Sequence, residues 1–234
     1  MTWSGFQTKP ILGRNMTVAS VFEGRFNSII REAVTKPLAP HGFRKRGHVF
    51  LRQLDELAWV VDIQRSRHNT SVETAFMVEC GIYVPRVLNL YGGIAEPSSP
   101  TAMSCCIRVG IEMLVGGRVD GMWALHDPPH SAVEDTQIMG DVRRLITHHA
   151  LPFLECLPST LEVAQYLEPP PSEQRISPGT YAMALGCAGI IRLMRGEREA
   201  ACAALARAVQ DATGSHGEEH LRSLEQRLLS NGLV

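Results

Sequence analysis

The residues best placed to act together lie on two alternating stretches. Between 57 and 66, Trp59, Val61 and Ile63 alternate with Val60, Asp62 and Gln64; between 74 and 84, Phe76, Val78, Cys80, Ile82 and Val84 alternate with Met77, Glu79, Gly81 and Tyr83. Side chains alternate across a strand, so two such strands paired together turn the first set of each to a core. The opposite face then carries Asp62, Gln64, Glu79 and Tyr83. Arg65 and Arg67 flank the end of the earlier strand, and Arg108 can join from a later segment. Acceptors, an amide and guanidinium groups on one sheet can hold a small polar ligand or a partner peptide. The plainer reading is a solvated face with ordinary cross-strand pairs, each contributing about 0.2–1 kcal/mol.

Three other groups carry chemistry by type. Arg44-Lys45-Arg46, with His48 and Arg52 nearby, is the densest basic cluster and a candidate phosphate-binding patch. Phe43 and Phe50 beside it serve better as core anchors than as base-stacking platforms. The sequence shows no ribonucleoprotein motif, zinc-finger spacing or Gly-rich phosphate loop. His126-Asp127-Pro128-Pro129-His130 offers two imidazoles to a metal, but the two prolines place them on a loop without an evident third ligand. His148-His149 project about 100° apart on a helix and cannot readily share one ion. Cys80, Cys105 and Cys106 would need a neighbouring base to act as nucleophiles, and nothing local supplies one. No catalytic residue and no cofactor is assigned on these signals.

The elements that must position these groups follow from periodicity. Apolar residues at three- and four-residue spacing from Val18 to Val34 describe an amphipathic helix ended by Pro37 and Pro40. Strands are expected at about 43–54, 57–66 and 74–84, the first two joined as an antiparallel hairpin around Asp55-Glu56. Residues 92–102 read as an exposed loop, and 105–114 as either strand or helix. A helical period returns over 132–156, with Pro152 set to kink or divide it. Beyond Glu168-Pro169-Pro170-Pro171-Ser172, the small and apolar residues at 185–208 resemble one tetratricopeptide-like helical hairpin, followed by a last helix near 217–230.

The chain has 234 residues, 44% hydrophobic and 20% charged, which excludes intrinsic disorder and low-complexity architecture. Lys plus Arg number 23 against 24 Asp plus Glu, but residues 1–70 carry a net charge of +6 and the remainder −7. The two parts are expected to attract each other, a reading that competes with nucleic-acid binding by the basic part. No apolar run approaches the ~18 residues of a membrane span, the N-terminus lacks a signal-peptide pattern, and no Cys-x-x-Cys occurs. A cytoplasmic protein with reduced thiols is expected.

Gly42-Phe43-Arg44-Lys45-Arg46-Gly47, Phe50, Trp59-Val60-Val61-Asp62-Ile63-Gln64-Arg65-Ser66, Phe76 and Gly81-Ile82-Tyr83 resemble a bacterial family, domain of unknown function 4304. Cys106-Ile107-Arg108-Val109-Gly110, the Trp123 segment and Leu151-Pro152-Phe153-Leu154 resemble its later blocks, so the likeness spans about residues 20–157. The resemblance implies an α+β domain and no catalytic set. Where related sequences carry paired tryptophans, this chain has Met122-Trp123, and Trp123 joins the candidate binding residues as a single aromatic.

The expected architecture is α+β: an N-terminal helix, an antiparallel sheet of about four or five strands, and a mostly helical C-terminal part with a helical hairpin. Its parts are an arm (1–16), an α+β domain (17–167), a Pro-rich linker (168–177) and a helical extension packed on the domain (178–234). The expected function is binding of a protein or peptide, immunity-like or regulatory. It would use Asp62, Gln64, Arg65, Glu79, Tyr83, Arg108 and Trp123, or the groove between sheet and C-terminal helices. The alternatives are an enzyme or sensor for a small polar metabolite or nucleotide, and an electrostatic nucleic-acid binder through Arg44, Lys45, Arg46 and Arg52.

Overall fold

The computed structural model describes residues 18–115, 121–127, 129–130, 133–169 and 180–231. The expected arm at 1–16 and most of the Pro-rich linker lie outside the described residues.

Helix α1 (Val18–Ile30) runs through a π turn, Arg31–Thr35, into a short α2 (Lys36–Leu38). The strands are β1 (Arg44–Arg46), β2 (Val49–Gln53), β3 (Ala58–Arg65) and β4 (Glu73–Tyr83), then helix α3 (Val87–Gly92), β5 (Ile107–Gly110) and β6 (Trp123–His126). Helix α4 (Glu134–Leu145) continues through a second π turn, Ile146–Ala150, into α5 (Leu151–Glu155). Helices α6 (Thr160–Leu167), α7 (Tyr181–Met194), α8 (Arg198–Asp211) and α9 (Glu218–Asn231) complete the described chain.

Among the described residues the sheet is antiparallel and six-stranded, in the order β1-β2-β3-β4-β5, with β6 also on β4. The α+β class holds, with one strand more than the upper expectation. Two local causes raise the strand number. The stretch expected as one strand over 43–54 folds back at Gly47, whose positive φ of 61° makes the turn between β1 and β2. The 11-residue β4 is long enough to take β3 along one side and two short strands along the other. It pairs β5 through Glu79–Ile82 and β6 through Glu73–Phe76. The ambiguous 105–114 stretch is both elements in succession, β5 and then a 3-10 turn (Ile111–Val115).

One sheet face carries Phe50, Trp59, Val61, Ile63, Phe76, Val78, Cys80, Ile82, Ile107 and Val109, and against it pack buried residues of α1 and α4–α6. Phe26 of α1 meets Phe76 edge to face at 5.3 Å, and the Trp59 indole N–H donates to the Leu157 carbonyl at 3.0 Å. Each π turn comes just before a proline, Pro37 or Pro152. A proline lacks an N–H and presses on the carbonyl four residues back, and the wider π turn relieves both without breaking the helix. Pro152 therefore continues its helix.

Helices α7 and α8 form the expected hairpin. At Gly189 an added Cβ would sit 2.6 Å from Leu205 Cγ, so the small residue sets their close approach. The hairpin packs on α6 and α3 in a core continuous with that of the sheet. Arg192 is fixed there by both oxygens of Glu168, at 2.8 and 2.9 Å, and by Glu197 at 2.5 Å. No helix among the described residues is long and apolar enough to cross a membrane.

Candidate functional site

The second sheet face bears the polar residues. Its register places Val49, Asp62, Glu79 and Gly110 in one row across β2–β5, with Leu51, Val60, Gly81 and Arg108 in the next. Gln64 stands opposite Met77, and Ala58 opposite Tyr83. Asp62, Gln64, Glu79, Tyr83 and Arg108 therefore share this face, as period-two alternation requires.

Their contacts differ. Gln64 Nε2 donates to Glu79 Oε2 at 2.5 Å, and Arg108 Nε lies 3.8 Å from Glu79 Oε1. Burial pushes the Glu79 carboxyl above its ordinary pKa; Arg108 pulls it back and Asp62 adds to the rise. Asp62 is buried and accepts the Ala102 N–H at 3.1 Å, which pins a 3-10 turn (Ala102–Ser104) onto the sheet. The loop expected at 92–102 is largely exposed, yet at this end it roofs part of the face. At Gly81 an added Cβ would lie 2.9 Å from Cys105 Cβ. Tyr83 donates its hydroxyl to Glu96, and Glu96 also accepts the Arg86 N–H at 2.9 Å. Tyr83 thus anchors the loop beside the face.

Sequence reasoning missed Glu112. Its carboxyl occupies the space that side chains at Gly110 and Gly121 would fill. Its Oε2 is shielded from solvent and makes no hydrogen bond among the described residues. Burial pushes this carboxyl up too, and nearby Glu79 adds to the effect. Also missed were the methionines around the polar group. Met77 is half-buried on the face, Met103 contacts Arg108, and Met103 and Met122 are 66% and 51% exposed. Methionine is flexible and polarisable, and it recurs at surfaces that adapt to peptides.

Two expected members lie elsewhere. Arg65 has the parity of Ile63 and points to the helical side. It pairs with Glu23 of α1 at 2.7 Å and lies over the Phe26 ring at 4.7 Å. Trp123 has the parity of Leu125, is buried and stacks on Phe76 at 5.7 Å. Both therefore stand on the helical side of the sheet, apart from the polar group. Alternation also divides the basic cluster. Lys45 lies over Phe50 and Arg52 over Trp59, at 5.7 and 4.6 Å, on the helical side, while Arg44 and Arg46 stand exposed opposite. The attraction between basic and acidic parts is realised at Arg25, which pairs with Asp135 at 2.6 Å and Glu134 at 3.0 Å.

His126 and His130 come together, their rings stacked 3.5 Å apart and inclined by 15°. Glu134 completes the group. It accepts the backbone N–H groups of His126 and His130 at 2.9 and 2.8 Å, and lies 3.2 Å from His126 Nδ1. Burial alone would raise its pKa, but these donors and Arg25 outweigh that and hold the carboxyl at about 2. An acidic residue in the first turn of α4 was the available sequence signal. The thiols of Cys80, Cys105 and Cys106 are buried, which disfavours the thiolate and pushes Cys80 and Cys105 up, and Cys106 up to about 12. At the junction of sheet and C-terminal helices, a cleft of about 340 Å³ is lined by Glu56, Thr160, Ile191, Met194 and Arg195. Its polar groups already engage one another. Thr160 donates to Glu56 at 2.6 Å, and Arg195 donates to Thr160 at 3.1 Å.

Fold and site together define an α+β protein with one sheet face under helices and the other half-buried, roofed in part by the turn ahead of β5. A family model described as domain of unknown function (DUF4304) matches residues 34–156, and the chain belongs to that family. The match takes in the whole sheet together with α4 and α5, whereas α6–α9 follow it. Neither a search of curated proteins nor a search of solved structures returns a match.

Proposed function

We propose that the chain is a binding module whose half-buried polar sheet face receives a protein segment at its methionine-lined rim, working as an immunity-like or regulatory component in the bacterial cytoplasm. The observation that carries this reading is a polar group, Gln64, Glu79 and Arg108, set beside the exposed methionines Met103 and Met122. Adaptable apolar side chains next to a few fixed polar groups suit peptide recognition. The partner's character follows from charge. Asp62, Glu79 and Glu112 outnumber Arg108, and burial destabilises the charge on two of the carboxyls. A segment bringing one Lys or Arg between apolar residues relieves that cost and covers the methionines. Six unpaired cysteines, four of them buried, fit a reducing compartment.

The test is an array of peptides varied in basic and apolar content, with hits measured by calorimetry. Hits should combine a basic residue with apolar neighbours, and Glu79→Gln should weaken them at least ~10-fold, the scale of one lost charge-assisted hydrogen bond. Binding of acidic peptides only, or hits unaffected by Glu79→Gln, would overturn the reading.

A further inference from the structure

A second cluster lies away from the methionine-rimmed group, where β4 begins and β6 ends. Glu73 and His126 are direct cross-strand partners. Glu73 Oε2 stands 3.9 Å from His126 Nε2, too far for a hydrogen bond. One ion can span such a gap, since zinc holds an imidazole nitrogen at about 2.0–2.1 Å and a carboxylate oxygen at about 2.0–2.2 Å. The other ring nitrogen, Nδ1, faces Glu134 Oε2 at 3.2 Å. A carboxylate oxygen only accepts, so the tautomer that suits this contact carries its proton on Nδ1 and turns the Nε2 lone pair toward Glu73. A carboxylate on one imidazole nitrogen and a metal on the other is the usual orientation of a ligating histidine.

His130 supplies the second imidazole. A ligand atom from each of His126, His130 and Glu134 lies within 4.8 Å of the others. The stacked rings aim their in-plane lone pairs side by side, so coordination requires the exposed His130 side chain to turn. Glu134 is occupied by two backbone N–H groups and Arg25, which makes it the positioning residue rather than a ligand.

We propose that His126, His130 and Glu73 bind one divalent transition-metal ion of the zinc type, with His126 oriented by Glu134. Two nitrogens and one carboxylate oxygen suit zinc and leave a position for water or a further ligand. The bound ion ties β4 and β6 to the segment that leads into α4.

Metal-stripped full-length protein would be titrated with Zn²⁺ by calorimetry and with Co²⁺ by visible absorption. The wild type is compared with His126→Ala, His130→Ala, Glu73→Gln and Cys156→Ser, the last removing an exposed thiol. The wild type and Cys156→Ser should take up about one equivalent with a Co²⁺ spectrum free of thiolate character. Each change at His126, His130 or Glu73 should weaken binding at least ~10-fold. Far-UV circular dichroism confirms folding, and His130→Ala, which removes only an exposed ring, decides the matter should His126→Ala unfold. Uptake that survives both histidine substitutions, uptake lost in Cys156→Ser, or no saturable uptake in the wild type would overturn the proposal.

Discussion

Glu134 shows how one side chain can be both buried and charged. Two backbone N–H groups, an imidazole and a guanidinium satisfy its oxygens, and its ionised form is therefore favoured in the folded chain over the unfolded one. A carboxyl whose folded pKa is depressed stabilises the fold above its unfolded pKa, and that stabilisation fades as pH falls toward the folded value. Lowered from 4.5 to about 2, Glu134 contributes on the order of 2–3 kcal/mol at neutral pH. Glu134→Gln should remove most of this at pH 7. It should also flatten the loss of stability that the wild type shows between about pH 4.5 and 2, measured by urea unfolding in the presence of a chelator. Equal pH slopes in the two proteins would show that the carboxyl is not preferentially ionised in the fold.

The helix that sequence reasoning passed over, α6, is specified by a local signal. Ser159 accepts the Leu161 N–H at 3.1 Å and its hydroxyl also meets Glu162, while Val163, Ala164 and Leu167 form the buried stripe. A Ser followed three residues later by Glu ahead of apolar spacing is the signature of a capped helix start. Ser159→Ala should cost about 1 kcal/mol in the urea midpoint, without loss of fold. An unchanged midpoint would mean that α6 is held by packing alone. The sheet presents the converse case. Strand parity was legible along β3 and β4 because one face of each is apolar, and parity also assigns Arg65 to the helical side. Its place at the end of β3, where the apolar run stops, concealed that assignment. Trp123 was hidden for another reason: four residues of β6 are too few to reveal a period.

Across the whole molecule, the core runs without interruption from the sheet through α6 to the α7–α9 helices. Glu168, Arg192 and Glu197 clamp the C-terminal helices to the end of α6. Such continuity predicts one cooperative transition. In a Trp3→Phe background, fluorescence of Trp59 and Trp123 reports the sheet, and far-UV circular dichroism is weighted toward the helices. The two thermal or urea curves should therefore coincide. Separate midpoints would show that α7–α9 unfold as a unit of their own, despite the shared core.

The sequence by itself determined the α+β class, the helical hairpin, and the side of the sheet on which Asp62, Gln64, Glu79 and Tyr83 stand. These depend on period and local chemistry, which neighbouring residues carry in full. Only the tertiary structure decided that β4 would take two strands on one edge, that residues 102–105 would cross Gly81, and that Glu112 would lie over Gly110 and Gly121. It likewise brought Glu73 to His126 across 53 positions and Arg25 to Glu134 across 109. Contacts at such separations depend on how the apolar faces pack together, and no local pattern in the chain encodes which distant groups that packing makes neighbours.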